Sequence, residues 1–129
     1  MQVIADTSFL MIPGMFSVDI VGELDRLLEQ PHELVITSPV LQELRRISER
    51  GKPKEQTAAK IGLILAKRGK VTKVKGAADK VILKLAIKGG YVVGTTDAAL
   101  RKELRRCGVP VIYLRQKSHL AIDGWIQEG

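Results

Sequence analysis

Cysteine, histidine and aromatic residues are all scarce in this 129-residue sequence. The single cysteine, Cys107, excludes an internal disulfide and any zinc site built on cysteines. The two histidines, His32 and His119, are isolated from one another. Five aromatics (Phe9, Phe16, Tyr91, Tyr113 and Trp125) are too few for a surface that reads nucleic acid by stacking successive bases. Long apolar runs are missing too, so no segment is expected to span a membrane. Residues 1–6 have neither the basic nor the apolar region of a secretory leader. A cytoplasmic protein is the expectation.

What the chain has is positive charge. Twenty-one Lys and Arg against 14 Asp and Glu give +7 at neutral pH, a balance that attracts polyanions. With few aromatics, phosphates rather than stacked bases are the expected contacts. Apolar residues make up 45% of the chain, and its mean hydropathy is +0.04, the composition of an ordinary globular core. A chain of this length buries roughly two-thirds of its unfolded surface and needs neither disulfide nor structural metal.

Short apolar runs alternate with stretches of helical periodicity. Strands are predicted at 2–5, 34–37, 71–74, 91–94 and 109–114. An apolar helix or loop covers 9–15, interrupted by Pro13-Gly14. Helices are predicted at 17–30, capped by Ser17; at 38–50, opened by Ser38 as cap with Pro39 behind it; and at 54–67, 77–88 and 98–106. This alternation predicts a three-layer α/β/α domain with a central, mostly parallel five-stranded sheet over residues 1–115. Residues 116–129 read as a tail with little structure.

Four acids occupy telling positions. Ligands in open α/β sheets gather beyond the carboxyl ends of the strands. Asp6 follows the first strand and Asp97 the fourth, while Glu43 and Asp79 lie in the first turns of helices that start at the same rim. At 100° per residue, Asp79 falls on the apolar arc of its helix, away from Lys80, Lys84 and Lys88. Each acid also has an ordinary role, as a helix cap, a first-turn acid or a turn residue. Convergence on one rim is what separates the two. Two carboxylates about 4 Å apart repel by about 4 kcal/mol at an effective dielectric near 20, so four of them call for cations. Oxygen donors without neighbouring His or Cys select Mg²⁺ or Mn²⁺. One or two such ions beside a phosphodiester would activate a water and stabilise the leaving oxygen. Thr7, Ser8, Thr95 and Thr96 flank the acids and are placed to orient them.

These pieces resemble the PIN-domain nucleases. The resemblance rests on Val3-Ile4-Ala5-Asp6-Thr7-Ser8, Ser38-Pro39-Val40-Leu41-Gln42-Glu43-Leu44, Ala78-Asp79-Lys80-Val81-Ile82 and Val93-Gly94-Thr95-Thr96-Asp97, in order along nearly the whole chain. It implies a divalent-metal endoribonuclease with Asp6, Glu43, Asp79 and Asp97 as catalytic metal ligands. Residues 101–114 look most like the branch that processes precursor ribosomal RNA. VapC-type toxins, the second choice, more often carry Thr-Arg-Asp-x-Asp-Phe where this chain has Thr96-Asp97-Ala98-Ala99-Leu100. Two features depart from the family: Ala78 stands where the ribosomal branch often has a second aspartate, and there is no zinc ribbon. The partners implied are RNA, a second copy of the chain, and an antitoxin or a ribosome-assembly protein.

Basic residues suit an RNA path in two clusters, Arg45, Arg46, Arg50, Lys52 and Lys54, and Arg101, Lys102, Arg105 and Arg106, with Arg115 and Lys117 extending the second. A catalytically silent RNA-binding scaffold fits the same charge. A signalling receiver domain does not, because it needs paired acids after the first strand and an aspartate after the third.

Overall fold

Val3, Ile4 and Ala5 are fully buried, as expected of a strand covered on both faces, and they form the centre of the sheet. The computed structural model describes residues 1–126. Its elements in chain order are β1 (Gln2–Ala5), α1 (Thr7–Leu10), α2 (Ile12–Phe16), α3 (Ile20–Leu28), β2 (Glu33–Thr37), α4 (Ser38–Arg50), α5 (Pro53–Ala66), β3 (Lys70–Thr72), α6 (Ala78–Ala86), β4 (Tyr91–Gly94), α7 (Ala98–Arg106), β5 (Val111–Arg115) and β6 (His119–Asp123). The strands run in the order β3-β2-β1-β4-β5-β6, parallel throughout except for β6.

Chain direction across the sheet reverses after β3, which returns past β2 and β1 to β4. The crevice beside β1 and β4 is therefore the topological switch point, where ligands bind in such sheets. Ala5 pairs with Gly94 at the carboxyl ends of these strands, so Asp6 and Thr95 leave the sheet side by side. Right-handed crossovers put α1, α2, α4 and α5 on one face and α6 and α7 on the other, while α3 lies against β6. The helices pack accordingly, α5 against α1, α2 and α4, and α6 against α7. At Gly94 an added Cβ would stand 2.7 Å from the buried Phe9 ring, so only glycine lets α1 seat on the end of β4.

The structure corrects several sequence-based expectations. The sheet has six strands rather than five, because β6 pairs antiparallel with β5, from Val111 with Asp123 to Arg115 with His119. The turn between them has positive φ at Gln116 (52°) and Lys117 (55°), a primed-turn geometry without its Asn-Gly signature. Ser17 does not cap α3. It closes α2 in the left-handed region at φ 56°, and Asp19 caps α3 by accepting from the Gly22 N–H at 3.1 Å. Ser38 lies inside α4, where its hydroxyl donates to the Val74 carbonyl (2.7 Å) and accepts from the Val74 N–H (2.9 Å). It clamps the chain leaving β3 instead of capping a helix. Phe9, Leu10 and Ile12 are fully buried, so these residues of the apolar stretch belong to the core. No described helix is long and apolar enough to cross a membrane.

Candidate active site

Asp6 is 9% exposed and is held from three sides. Its Oδ1 accepts from the Thr7 N–H at 2.8 Å, and its Oδ2 accepts from the Thr95 hydroxyl at 2.8 Å and the Ser8 hydroxyl at 3.2 Å. Burial pushes its pKa up, against the pull of those hydrogen bonds, and Asp97 adds to the rise. Thr95 is fully buried and links two of the acids: it donates to Asp6 and accepts from the Asp97 N–H at 3.0 Å.

Asp97 caps α7, its Oδ1 accepting from the Ala99 and Leu100 N–H groups at 2.9 and 3.2 Å. The ordinary role and the shared rim therefore coexist at this residue. Glu43 projects from α4. Burial raises its pKa first and Asp6 second, while Thr7 and Arg46 oppose the rise and Asp79 adds to it. The pull of Thr7 on Glu43 falls short of a hydrogen bond, since Thr7 Oγ1 is buried without a partner. Asp79, exposed in the first turn of α6, accepts from the Lys80 N–H at 2.9 Å.

All four acids line one cleft of about 510 Å³, along with Thr7, Ser8, Gln42, Arg46 and the backbone approaching α6. Arg46 is the only basic residue in the lining. Among the described residues no three acids form a closed cluster around a single point. Of the four flanking hydroxyl residues, Ser8 and Thr95 touch Asp6, while Thr96 contributes its N–H to Ser8 at 3.1 Å. Sequence reasoning missed Gln42 as a wall residue and read Arg46 as one of a basic cluster on an RNA path, not as a wall of the cleft. The signal was there, because Arg46 follows Glu43 by one helical turn.

The second basic cluster is not a free patch. Arg101 and Arg105 both donate through Nε to Asp123, at 2.9 and 3.2 Å. Arg101 also lies over the Tyr113 ring, 3.6 Å from its centroid. Arg106 pairs with Glu103 at 3.4 Å. Arg101 and Arg105 thus fasten β6 to α7, and Lys102 alone of the four forms no ion pair among the described residues. Arg45, Arg46, Arg50, Lys52 and Lys54 are exposed and equally free of ion pairs.

The family described as PIN like domain matches residues 3–117. This chain is a member of the PIN-domain family. Ribonuclease VapC4 of Methanocaldococcus jannaschii is 32% identical, over 97% of this PIN-domain chain and 98% of its own length. Ribonuclease VapC9 of Archaeoglobus fulgidus is 27% identical, over 93% and 87%. Among solved structures, the PIN domain endonuclease Utp24 superposes with a TM-score of 0.80 at 23% identity, covering 97% of this chain and 92% of that one. A domain of a functionally unknown protein from M. jannaschii superposes with a TM-score of 0.62 at 16% identity, covering 99% and 97%. The PIN fold expected from the four motifs is the fold observed.

Proposed function

We propose that this PIN domain is a metal-dependent endoribonuclease that hydrolyses RNA phosphodiester bonds at the cleft between Asp6, Glu43, Asp79 and Asp97. The observation that carries the reading is four carboxylates lining one cleft with a single basic residue, Arg46, among them. Burial, with a smaller push from neighbouring carboxylates, raises the pKa of Asp6 and Glu43, the kind of perturbation found at functional sites. The donor set fits a hard divalent ion, being all oxygen, with no Cys or His in the lining. Asp6, Glu43, Asp79 and Asp97 would hold one or two ions of Mg²⁺ or Mn²⁺, with some rotation of the exposed side chains to close the shell. When bound, such an ion supplies Lewis-acid activation of water and charge for the leaving oxygen.

The chain's own residues do the rest. Thr95 and Ser8 fix the Asp6 carboxylate, and Thr95 couples it to the start of α7. Capping holds Asp97 in place. Arg46, in the cleft wall, is positioned to bind a phosphate oxygen. The 32% identical VapC ribonuclease supports the chemistry and favours, as a second reading, a toxin held in check by an antitoxin. The likeness of residues 101–114 to the ribosomal branch favours precursor rRNA as substrate. Co-purification separates the contexts, a small antitoxin or pre-ribosomal RNA being the diagnostic companion.

The direct test is cleavage of labelled RNAs in EDTA, Mg²⁺ or Mn²⁺ by wild type, Asp6→Asn and Asp97→Asn. The expected result is metal-dependent cutting that falls at least roughly a hundredfold in either variant. Cutting that survives both substitutions overturns the site.

A further inference from the structure

The net positive charge of this protein comes from one stretch. Between Gln56 and Thr96 stand nine Lys and Arg and a single acid, Asp79. The rest of the chain carries twelve basic and thirteen acidic residues and is close to neutral. This stretch includes β3, one of the two edge strands of the sheet, and α6. Its nine basic residues are all exposed, and none forms an ion pair among the described residues. Elsewhere Arg26, Arg101, Arg105 and Arg106 are paired with Glu23, Asp123 and Glu103, while the α4 cluster shares the unpaired state.

Three of these lysines adjoin, in sequence, the segment that lines the cleft. Lys73 and Lys75 flank Val74, whose main chain Ser38 grips from the first turn of α4. Immediately after Lys75, residues 76–79 line the cleft. Lys80 follows Asp79, and Lys84 continues the same exposed face of α6 one turn on, about 6 Å away along the axis. The wall of the acidic cleft formed by residues 76–79 is thus continued on either side by lysines, and this basic lip is anchored on its β3 side by the Ser38 clamp at Val74.

We infer that Lys73, Lys75 and Lys80, continued by Lys84, form the track that binds the phosphate backbone of single-stranded RNA and leads it into the cleft. The α4 and α7 clusters are secondary. That the strand bound there is the one cut rests on the ribonuclease reading; the track itself rests on charge and placement. Phosphates suit these residues because lysines are point charges that bind backbone without reading sequence. Five aromatics in the whole chain leave little for base stacking.

The test is anisotropy of a labelled oligouridylate in EDTA, titrated with the full chain between about 50 and 200 mM salt. Two triple variants are compared, each losing three charges: Lys73→Gln/Lys75→Gln/Lys80→Gln and Arg45→Gln/Arg50→Gln/Lys54→Gln. Each phosphate contact on a single strand contributes about 0.7 to the slope of log affinity against log salt. The lip triple is expected to lower that slope by about 2 and the affinity at 0.1 M salt by roughly ten- to a hundredfold, with the α4 triple changing the slope by less than half as much. The slope is read within each variant, so partial unfolding lowers amplitude without imitating the effect. Equal slopes for the two triples, or a larger loss in the α4 triple, overturn the track. Cleavage in Mg²⁺ is assayed on the same proteins. Wild type that cuts RNA, with a slope indifferent to the lip lysines, overturns the track and leaves the ribonuclease reading standing. Wild type that binds through the lip yet cuts in no metal does the reverse.

Discussion

Two groups of carboxylates in this protein meet opposite fates. At the β6 edge, Glu23 accepts from Arg26 Nε and Nη2 and from the Leu120 N–H, and its pKa is drawn down to about 2. Asp123 is likewise shared by Arg101 and Arg105. At the cleft, Asp6 is buried and Glu43 half-buried, neither has an ion-pair partner among the described residues, and both pKa values rise. The edge acids fasten a strand. The cleft acids oppose folding at neutral pH, and a fold retains such a cost where the charge is used. The contrast depends on what surrounds each acid, since both groups are common carboxylates.

Thr95→Val tests the cleft half of the contrast most sharply. It removes the hydroxyl that fixes Asp6 and leaves the Asp97 N–H without its acceptor, while keeping volume nearly constant. Cleavage is expected to fall roughly 10–100-fold, the usual cost of losing a group that orients a metal ligand. Single-turnover kinetics beside a thermal melt check this: a rate within twofold of wild type would show that Asp6 needs no such positioning.

Asp123→Asn addresses the edge half. Two half-buried arginines then face each other without their shared carboxylate, and the expected loss is about 2 kcal/mol of stability. Hydrogen exchange should accelerate at the β5 amides paired with β6, leaving RNA cleavage per folded molecule unchanged. A slowed cleavage rate at intact stability would join the two regions and dissolve the contrast.

The cleft was legible in the sequence because its parts are local. Each acid follows a strand or opens a helix, and the parallel alternation sends those junctions to one rim. The edge was not legible. Leu120 and Ile122 give only a brief alternation, and the hairpin turn at Gln116 and Lys117 uses residues that rarely take positive φ. The pairs of Asp123 with Arg101 and Arg105 span 22 and 18 residues, and nothing local announces them. That is also why Arg101 and Arg105 read as a free basic patch. Ser38 has the same lesson, its hydroxyl being claimed by Val74, 36 residues away, before it can cap a helix.

Acid titration separates the two halves by sign. Glu23 has a folded pKa near 2 against an ordinary 4.5, so its contribution to stability is complete above about pH 4.5 and is lost as pH falls toward 2. Asp6 and Glu43 have raised folded pKa values. Their protonated forms favour the fold, so their contribution is present below the ordinary carboxylate range and is lost as pH rises through their folded values. In EDTA, melting temperature should therefore decline on both sides of a mildly acidic maximum. Glu23→Gln should flatten the acid limb and cost about 1 kcal/mol at pH 7, the scale of an exposed charge-assisted hydrogen bond. Asp6→Asn should flatten the neutral limb, and Mg²⁺ at pH 7 should raise the wild-type melting temperature by binding the folded form alone. Melts across pH for the three proteins check all of these. If Glu23→Gln and Asp6→Asn flatten the same limb, the carboxylates differ in location and not in kind.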